Sequence, residues 1–223
     1  KTLGTAKQNS TSGKIKQSVY WVSEARNREL LSELIGINNW QQVLVFAGTK
    51  ESANVLANEL KLDGIKAALC HGDKSQGARN KALSEVSEGK VRVLVATDVA
   101  ARGLDIEDLS FVVNFHLPFL AEDYVHRVGR TGRAGKEGYA ISLVSREEEH
   151  TVARIEKLIG SKIKRIVKAG FEVSNRVSLL KSAAKNSRTN RSNKASKTQI
   201  SQDKSSPYKA KKSKVNKSKS GKR

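Results

Sequence analysis

The chain has 223 residues, and its 42 lysines and arginines against 22 aspartates and glutamates give a formal net charge of +20. Hydrophobic residues make up 37% of the sequence, less than the apolar share of about 45–50% in typical globular chains. The charge is uneven: residues 1–180 carry 27 basic and 21 acidic side chains, whereas residues 181–223 carry 15 basic and one acidic. This distribution predicts an ordinary domain followed by a strongly basic tail.

Several classes of protein are excluded at this level. No apolar run reaches the ~18–20 residues that a membrane span requires, and the first residues lack the apolar core of a signal peptide. The single cysteine, Cys70, and four scattered histidines provide neither a disulfide framework nor a metal-ligand spacing. We therefore expect a soluble cytoplasmic protein without a metal site. The absence of methionine, even at position 1, favours a piece of a longer product.

The predicted elements alternate along the chain. Apolar runs predict strands at residues 19–22, 43–46, 65–70, 91–96, 111–115 and 140–144, and helical spacing of apolar residues predicts helices at 28–37, 53–60, 78–86 and 147–158. Strands without polar alternation are buried on both faces, and their alternation with helices is typical of a parallel sheet. The pattern predicts an α/β fold with a parallel sheet covered by helices on both faces.

The two ends of the chain differ from this pattern. Residues 1–14 are rich in Ser, Thr, Gly and Lys, which predicts a linker, and the folded domain is expected at residues 15–170. Residues 171–223 are dominated by Ser, Asn and Lys. Such a segment cannot bury enough apolar surface to offset the entropy of ordering, so we expect a disordered, low-complexity basic tail.

Unusual residues concentrate where the predicted strands end. In parallel sheets ligands bind beyond the carboxyl ends of the strands, so the informative loops should follow Phe46, Cys70, Ala96 and Phe115. The densest pattern alternates three arginines with three glycines: Arg127, Gly129, Arg130, Gly132, Arg133 and Gly135. Glycine lets the backbone approach a ligand, and guanidinium groups match phosphate oxygens in pairs. A solvated helix end needs no such glycines, so the pattern favours a phosphate site.

Two further segments carry weaker signals. Thr97 and Asp98 follow a predicted strand and lead to Arg102, Gly103 and Asp105. An acid near a phosphate site suits a ribose hydroxyl, although Asp98 could equally serve only as a helix N-cap. Residues 71–79 combine a strand end, a turn and a helix opening that carries Gln76 and Arg79. Cys70 is predicted to be a buried small hydrophobe, and His116 and Trp40 are interpreted as packing or surface residues.

Together these segments resemble the C-terminal RecA-like domain of DEAD-box RNA helicases. Residues 43–49 resemble motif IV, 76–79 the QxxR element, 96–105 motif V, and 126–133 motif VI. The resemblance covers residues 15–170, and the sequence around these motifs is most similar to the bacterial RhlE-type subgroup. His126, where DEAH-type enzymes have Gln, points to the DEAD-box group.

The resemblance implies roles for individual residues. Arg130 and Arg133 would be arginine fingers on the γ-phosphate of ATP, bound with Mg²⁺, while Asp105 would contact the ribose. Gly103 would also belong to the ATP-binding residues. His126 and Arg127 would couple the nucleotide to the N-terminal RecA-like domain of the same protein. The RNA backbone would be lined by Thr49, Gly72, Gln76, Arg79, Thr97 and Arg102. Contacts to phosphate and sugar predict RNA binding that is independent of sequence.

The sequence contains neither the phosphate-binding pattern GxxxxGKS/T nor the Asp-Glu-Ala-Asp string. The resemblance places these elements, which hold the triphosphate and most of the Mg²⁺ contacts, in the first helicase domain. This chain is therefore expected to be half of an ATP site and inactive alone, with a tail that anchors RNA. The alternative is a stand-alone, non-catalytic RNA-binding or scaffold protein derived from a helicase half.

Overall fold

The structure is a computed structural model that describes residues 15–102, 109–132 and 136–172. The strands are β1 Ile15–Trp21, β2 Val43–Phe46, β3 Ala67–Cys70, β4 Val93–Ala96, β5 Phe111–Asn114, β6 Gly138–Val144 and β7 Lys164–Ile166. The α-helices are α1 Asn27–Ile37, α2 Lys50–Leu62, α3 Gln76–Ser87, α4 Asp98–Arg102, α5 Ala121–Val128 and α6 Glu149–Ile159. The predicted linker and nearly all of the predicted tail lie outside the described residues.

The strands form one sheet in the order β3-β4-β2-β5-β6-β1-β7. Every pairing is parallel, which confirms the predicted parallel sheet. In the register, Phe46 of β2 lies beside Ala96 of β4 and Asn114 of β5. The carboxyl ends of these central strands therefore meet at one edge of the sheet.

Successive residues of β2 point to opposite faces of the sheet, as the pleat requires. Val43 and Val45 belong to the core cluster that contains the buried leucines of α1 and α2. Leu44 and Phe46 pack with buried residues of α3 and α4 on the other face, where a neighbouring cluster joins α5 and α6 to β6. Helices therefore cover both faces, as predicted.

The differences from the sequence prediction lie at the polar elements. β1 begins at Ile15 rather than at residue 19, and β7 was not predicted. The first half of β1 contains the polar run Lys16, Gln17 and Ser18, which shows no alternation of apolar and polar residues. β7 contributes only Lys-Arg-Ile at the sheet edge. Partner strands, rather than apolar periodicity, define both segments. Helix α5 was also missed, because its buried stripe includes Arg127.

Candidate functional site

The loops that follow β3, β4, β2 and β5 lie side by side along the carboxyl edge of the sheet, in that order. These are the loops after Cys70, Ala96, Phe46 and Phe115 that the sequence singled out. The first three carry most of the residues expected to contact RNA. The loop after β5 leads into α5, which carries residues expected to act on ATP. The fold therefore brings the two predicted sets to neighbouring parts of one edge.

Thr49 begins α2 and is fixed there by a reciprocal cap. Its Oγ1 accepts a hydrogen bond from the backbone N–H of Ser52 at 3.1 Å, and the Thr49 N–H donates to Ser52 Oγ at 3.0 Å. This arrangement satisfies two backbone donors of the first helical turn. Thr49 remains exposed to solvent, so part of its surface is available to a ligand.

His116 positions the loop before α2, a role that sequence reasoning missed. The backbone N–H of Gly48 donates to His116 Nδ1 at 3.1 Å. Burial lowers the pKa of His116, which favours the neutral ring that this hydrogen bond requires. The signal for this role was available only in three dimensions, because 68 positions separate the two residues.

The loop between β3 and α3 is braced by Arg79. Its guanidinium donates to the carbonyl oxygens of Lys74 at 3.0 Å and Gly72 at 3.1 Å. Gly72 is exposed, and a Cβ built on it would meet nothing within 4 Å, so the backbone there is open to approach. Gln76, the first residue of α3, donates to Asn80 Oδ1 at 2.9 Å.

The loops after β2, β3 and β4 are joined to one another. Lys50 Nζ, in the first turn of α2, lies 3.0 Å from an Asp73 carboxylate oxygen. The Thr97 N–H donates to the carbonyl oxygen of Cys70 at 3.2 Å. These links place five of the six predicted RNA residues along neighbouring loops: Thr49, Gly72, Gln76, Arg79 and Thr97.

Arg127 is buried and bound inside the protein. Its Nε and Nη2 each donate to one oxygen of Asp98 at 2.7 Å, while Nη1 donates to Asn114 Oδ1 at 2.9 Å and to the His116 carbonyl at 2.7 Å. Its guanidinium carbon lies 4.8 Å from the centroid of the Phe46 ring. Arg127 therefore ties together β2, β5, α4 and α5, and in this conformation it stabilises the site from beneath.

Asp98 takes the other half of this arrangement. It is the first residue of α4, but both carboxylate oxygens face Arg127. The sequence left its role open between a helix cap and a functional group. In the structure it orients an arginine.

A pocket lies between α4 and α5. It is lined by Phe46, Asp98, Ala101, Arg102, Asp123, His126, Arg127 and Arg130. Arg102 forms an ion pair with Asp123 across it, and His126 Nδ1 lies 3.8 Å from the same carboxylate. The side chain of Arg130 has no hydrogen-bond or ion-pair partner among the residues that the structure describes. The sequence grouped Arg102 with the RNA set, but the structure places it beside His126 and Arg130.

Gly132 and Gly138 are required by packing. Gly132 has φ +69°, and a Cβ on it would lie 2.5 Å from Ile15 Cγ1, while a Cβ on Gly138 would lie 2.4 Å from the Gly132 nitrogen. Neither position tolerates a side chain without displacing backbone or β1. Part of the glycine pattern therefore holds the turn after α5 against the sheet.

Three predicted site residues, Gly103, Asp105 and Arg133, lie outside the described residues. Within the described ranges, no group of three or more His, Cys, Asp or Glu side chains could hold a metal ion. The helices of the same ranges include none that is long and apolar enough to cross a membrane.

The parallel sheet and the arrangement of its carboxyl edge fit the class of RecA-like helicase domains. The sequence pattern of the helicase conserved C-terminal domain matches residues 26–135. The chain is 44% identical over 155 residues to the ATP-dependent RNA helicase RhlB of Pseudomonas syringae pv. tomato, a match that spans 70% of this chain and 39% of that protein.

Two solved structures extend the comparison. The E. coli DEAD-box protein SrmB, bound to regulator of ribonuclease activity A, shares 39% identity with a TM-score of 0.67, covering 71% of this chain and 94% of that one. S. cerevisiae Dbp5 bound to RNA and ADP BeF3 shares 33% identity with a TM-score of 0.67. This match covers 82% of this chain and 48% of the Dbp5 chain. The chain belongs to the DEAD-box RNA helicase family, of which it carries the C-terminal helicase domain. It spans about two fifths of the length of RhlB.

Proposed function

We propose that this chain is the second RecA-like half of an ATP-dependent RNA helicase, in which ATP hydrolysis drives local strand separation of short RNA duplexes. The observation that carries the proposal is the arrangement of the carboxyl edge, where exposed loops with capped helix starts adjoin a cationic pocket. Exposed loops with capped helix starts suit a phosphodiester backbone, and the cationic pocket suits a triphosphate. The DEAD-box relatives support this reaction class.

On the nucleotide side, Arg130 and Arg133 would contact the γ-phosphate. Charge spreads over the equatorial oxygens of the transferring phosphoryl group, so a fixed guanidinium stabilises the transition state more than bound ATP. The lack of a partner for Arg130 among the described residues fits a side chain that waits for an external anion. Asp105 and Gly103 would approach the ribose, and Mg²⁺ would be held mainly by the first domain.

Arg127 would act by positioning rather than by touching the nucleotide. Its four hydrogen bonds are all made within the domain, to Asp98, Asn114 and His116. Arg127 joins the loop that carries Thr97 to the helix that carries His126. It would therefore fix the position of the RNA side of the site relative to the ATP side. His126, which is exposed, would then contact the first domain.

On the RNA side, the candidate residues would contact phosphate and sugar. Thr49 and Gln76 lie at or next to the N-terminal caps of α2 and α3, where backbone N–H groups favour anions. Arg79 would support Gly72 from below while the exposed backbone meets the RNA. Such contacts carry no base information, so binding would be independent of sequence. Arg102 could join either side, since phosphate is the ligand in both.

Four finer assignments belong to the same proposal. The partner would be the N-terminal RecA-like domain of the same protein, and the site of action the cytoplasm. Membership of the RhlE-type subgroup is supported by the wording of the motifs, although the relative described above is named RhlB. Residues 15–170 would form the helicase domain, between an interdomain linker at 1–14 and a tail at 171–223.

The test is RNA-stimulated ATP hydrolysis by the 223-residue chain alone and by the same chain joined to a DEAD-box first domain. We expect negligible turnover from the chain alone, because it lacks the phosphate-binding pattern and the acids for Mg²⁺, and RNA-stimulated turnover from the two-domain protein. Turnover by the chain alone at the rate of the two-domain protein would contradict the proposal. RNA binding by a two-domain protein that hydrolyses no ATP would support the non-catalytic alternative.

The tail has its own test. Residues 181–223 carry 15 basic side chains, and on single strands log K should fall with log[salt] by about 0.7 per phosphate neutralised. Truncation after Leu180 should flatten this slope and weaken RNA binding while the domain stays folded. If affinity and slope survive truncation, the tail only adds solubility.

A further inference from the structure

Among the residues that the structure describes, the pocket between α4 and α5 carries more cationic groups than carboxylates. Asp98 is fully engaged by Arg127, so Asp123 is the described carboxylate of the lining that faces the remaining cationic groups. Arg102 reaches it from the end of α4, and His126 Nδ1 approaches it to 3.8 Å. Arg130 lines the same pocket without a partner in the described part of the chain.

Solvent reaches the Arg102–Asp123 pair from the arginine side. The Arg102 side chain is 57% exposed and the Asp123 side chain 19%, so water screens this pair more than it screens a fully buried one. A guanidinium fork matches a phosphate as well as it matches a carboxylate. The free space within the pocket is about 10 Å³, roughly the volume that one water needs. A phosphate that binds the Arg102 guanidinium inside the pocket therefore competes with the Asp123 carboxylate for it.

We propose that Asp123 is an internal substitute for a phosphate oxyanion, which holds Arg102 until a ligand phosphate displaces it. The inference rests on the proposed function, since the phosphate belongs either to ATP or to the RNA backbone. The neighbouring Arg130 and His126 favour ATP. Asp123 is then a positioning residue: it keeps the Arg102 side chain in the pocket, and it lowers the apparent affinity because the incoming anion must compete with it.

The experiment uses the two-domain helicase and steady-state ATP hydrolysis with a single-stranded oligouridylate. One arm varies ATP at saturating RNA, and the other varies RNA at saturating ATP. Asp123→Asn keeps the shape of the side chain and removes its charge. The matched control is Glu122→Gln, one residue earlier on α5, where the exposed carboxylate has no hydrogen-bond or ion-pair partner in the described ranges.

For Asp123→Asn we expect the half-saturating ATP concentration to fall about two- to fivefold while kcat changes by less than about twofold, as loss of a weak competing ion pair requires. Glu122→Gln should match the unmodified enzyme. A fall in the RNA arm instead supports the same exchange with RNA phosphate as the ligand. In an Arg102→Ala background, Asp123→Asn should have no further effect, because the competing partner is already gone.

Three results overturn the inference: Asp123→Asn equals Glu122→Gln in both arms, it raises the half-saturating concentration, or it keeps its full effect without Arg102. Thermal unfolding of each variant checks that the domain is intact, and Asp123→Ala repeats the test with a smaller side chain. Absence of RNA-stimulated turnover in the unmodified enzyme overturns the proposed function, and this inference with it. The other results leave the proposed function standing.

Discussion

Two places in the molecule pair arginine with a carboxylate, but they differ in how the carboxylate is held. One is the pocket between α4 and α5, and the other is the edge between α6 and β7. At the α6–β7 edge, the Glu156 side chain is only 3% exposed and receives hydrogen bonds from the Ile163 N–H and Lys162 Nζ, each at 2.8 Å, and from Arg165. In the pocket, the Asp123 side chain is 19% exposed and its partner Arg102 is 57% exposed. One carboxylate is saturated with donors, and the other can lose its partner.

The difference shows how one kind of interaction serves two purposes. Hydrogen bonding by Arg165, Lys162 and the Ile163 backbone lowers the pKa of Glu156 to about 2, so this carboxylate stabilises the fold. A buried, satisfied ion pair is costly to break from one side, whereas an exposed pair is weak and exchangeable. Arg127 belongs to the buried kind, although Arg130 lies only three positions further along the chain.

The largest effect is expected for Arg127→Ala. The substitution leaves the Asp98 carboxylate and the buried Asn114 oxygen without their donors, which should cost about 3–5 kcal/mol of unfolding free energy. Urea unfolding of the chain measures it. Arg154→Ala, on the exposed face of α6, is the control and should change stability by less than about 0.5 kcal/mol. A loss for Arg127→Ala no larger than that of the control would mean that the network does not stabilise the domain.

Arg130→Ala should do the opposite, with little change in stability and a loss of catalysis. In the two-domain helicase we expect kcat to fall about 10²- to 10³-fold, less than the largest arginine-finger effects because Arg133 is proposed to share the task. The RNA concentration at half-saturation should stay unchanged. Arg130→Lys should restore little, since an ammonium lacks the planar fork. Weakened RNA binding with intact turnover at saturating RNA would show that Arg130 contacts RNA rather than ATP.

Glu156→Gln should lower stability in a pH-dependent way. The folded-state pKa of about 2 lies below the ordinary 4.5, so the stabilisation is complete above pH 4.5 and is lost as the pH falls from 4.5 towards 2. At neutral pH the substitution should cost about 2–3 kcal/mol, and the difference should narrow in that acidic window. Glu137→Gln, which removes the exposed pair with Lys16, should leave stability unchanged. A constant difference across pH 2–7 would exclude this carboxylate as the cause.

The smallest effect is expected for Arg79→Ala. It removes the hydrogen bonds to the exposed loop carbonyls of Gly72 and Lys74, which should raise the half-saturating RNA concentration about three- to tenfold with little change in kcat. Lys81→Ala, farther along α3 with a side chain that is 77% exposed, is the control. A fall in kcat at saturating RNA, with half-saturation unchanged, would place Arg79 on the nucleotide side instead.

Sequence periodicity predicted the buried elements well and the polar ones poorly. The apolar run Val43–Phe46 coincides with β2, because burial on both faces leaves an unambiguous pattern. β7 has no such pattern, because only its pairing with β1 makes it a strand. At the site, the even spacing of Arg127 and Arg130 concealed opposite environments. Tyr124, Arg127 and Val128 form the buried stripe of α5, and this helical spacing was the available signal.

Partnership across the fold was beyond the reach of the sequence. His116 and Asp123 carry no motif that separates them from ordinary surface residues. Their roles arise because parallel strands bring the ends of β2 and β5 together and because α4 meets α5 at the pocket. Long-range contacts of this kind depend on the assembled sheet, so they follow from the fold and not from local spacing.

Cys70 is the one cysteine of the sequence, the last residue of β3, and fully buried, as predicted. Burial raises the pKa of its thiol, and thiol reagents attack the thiolate, so modification must wait until this end of β3 opens. The rate of labelling therefore reports local unfolding directly beneath the Gly72 loop, without any engineered probe. RNA that lies across the loop should slow the reaction, so the labelling rate of Cys70 reports whether RNA occupies this edge.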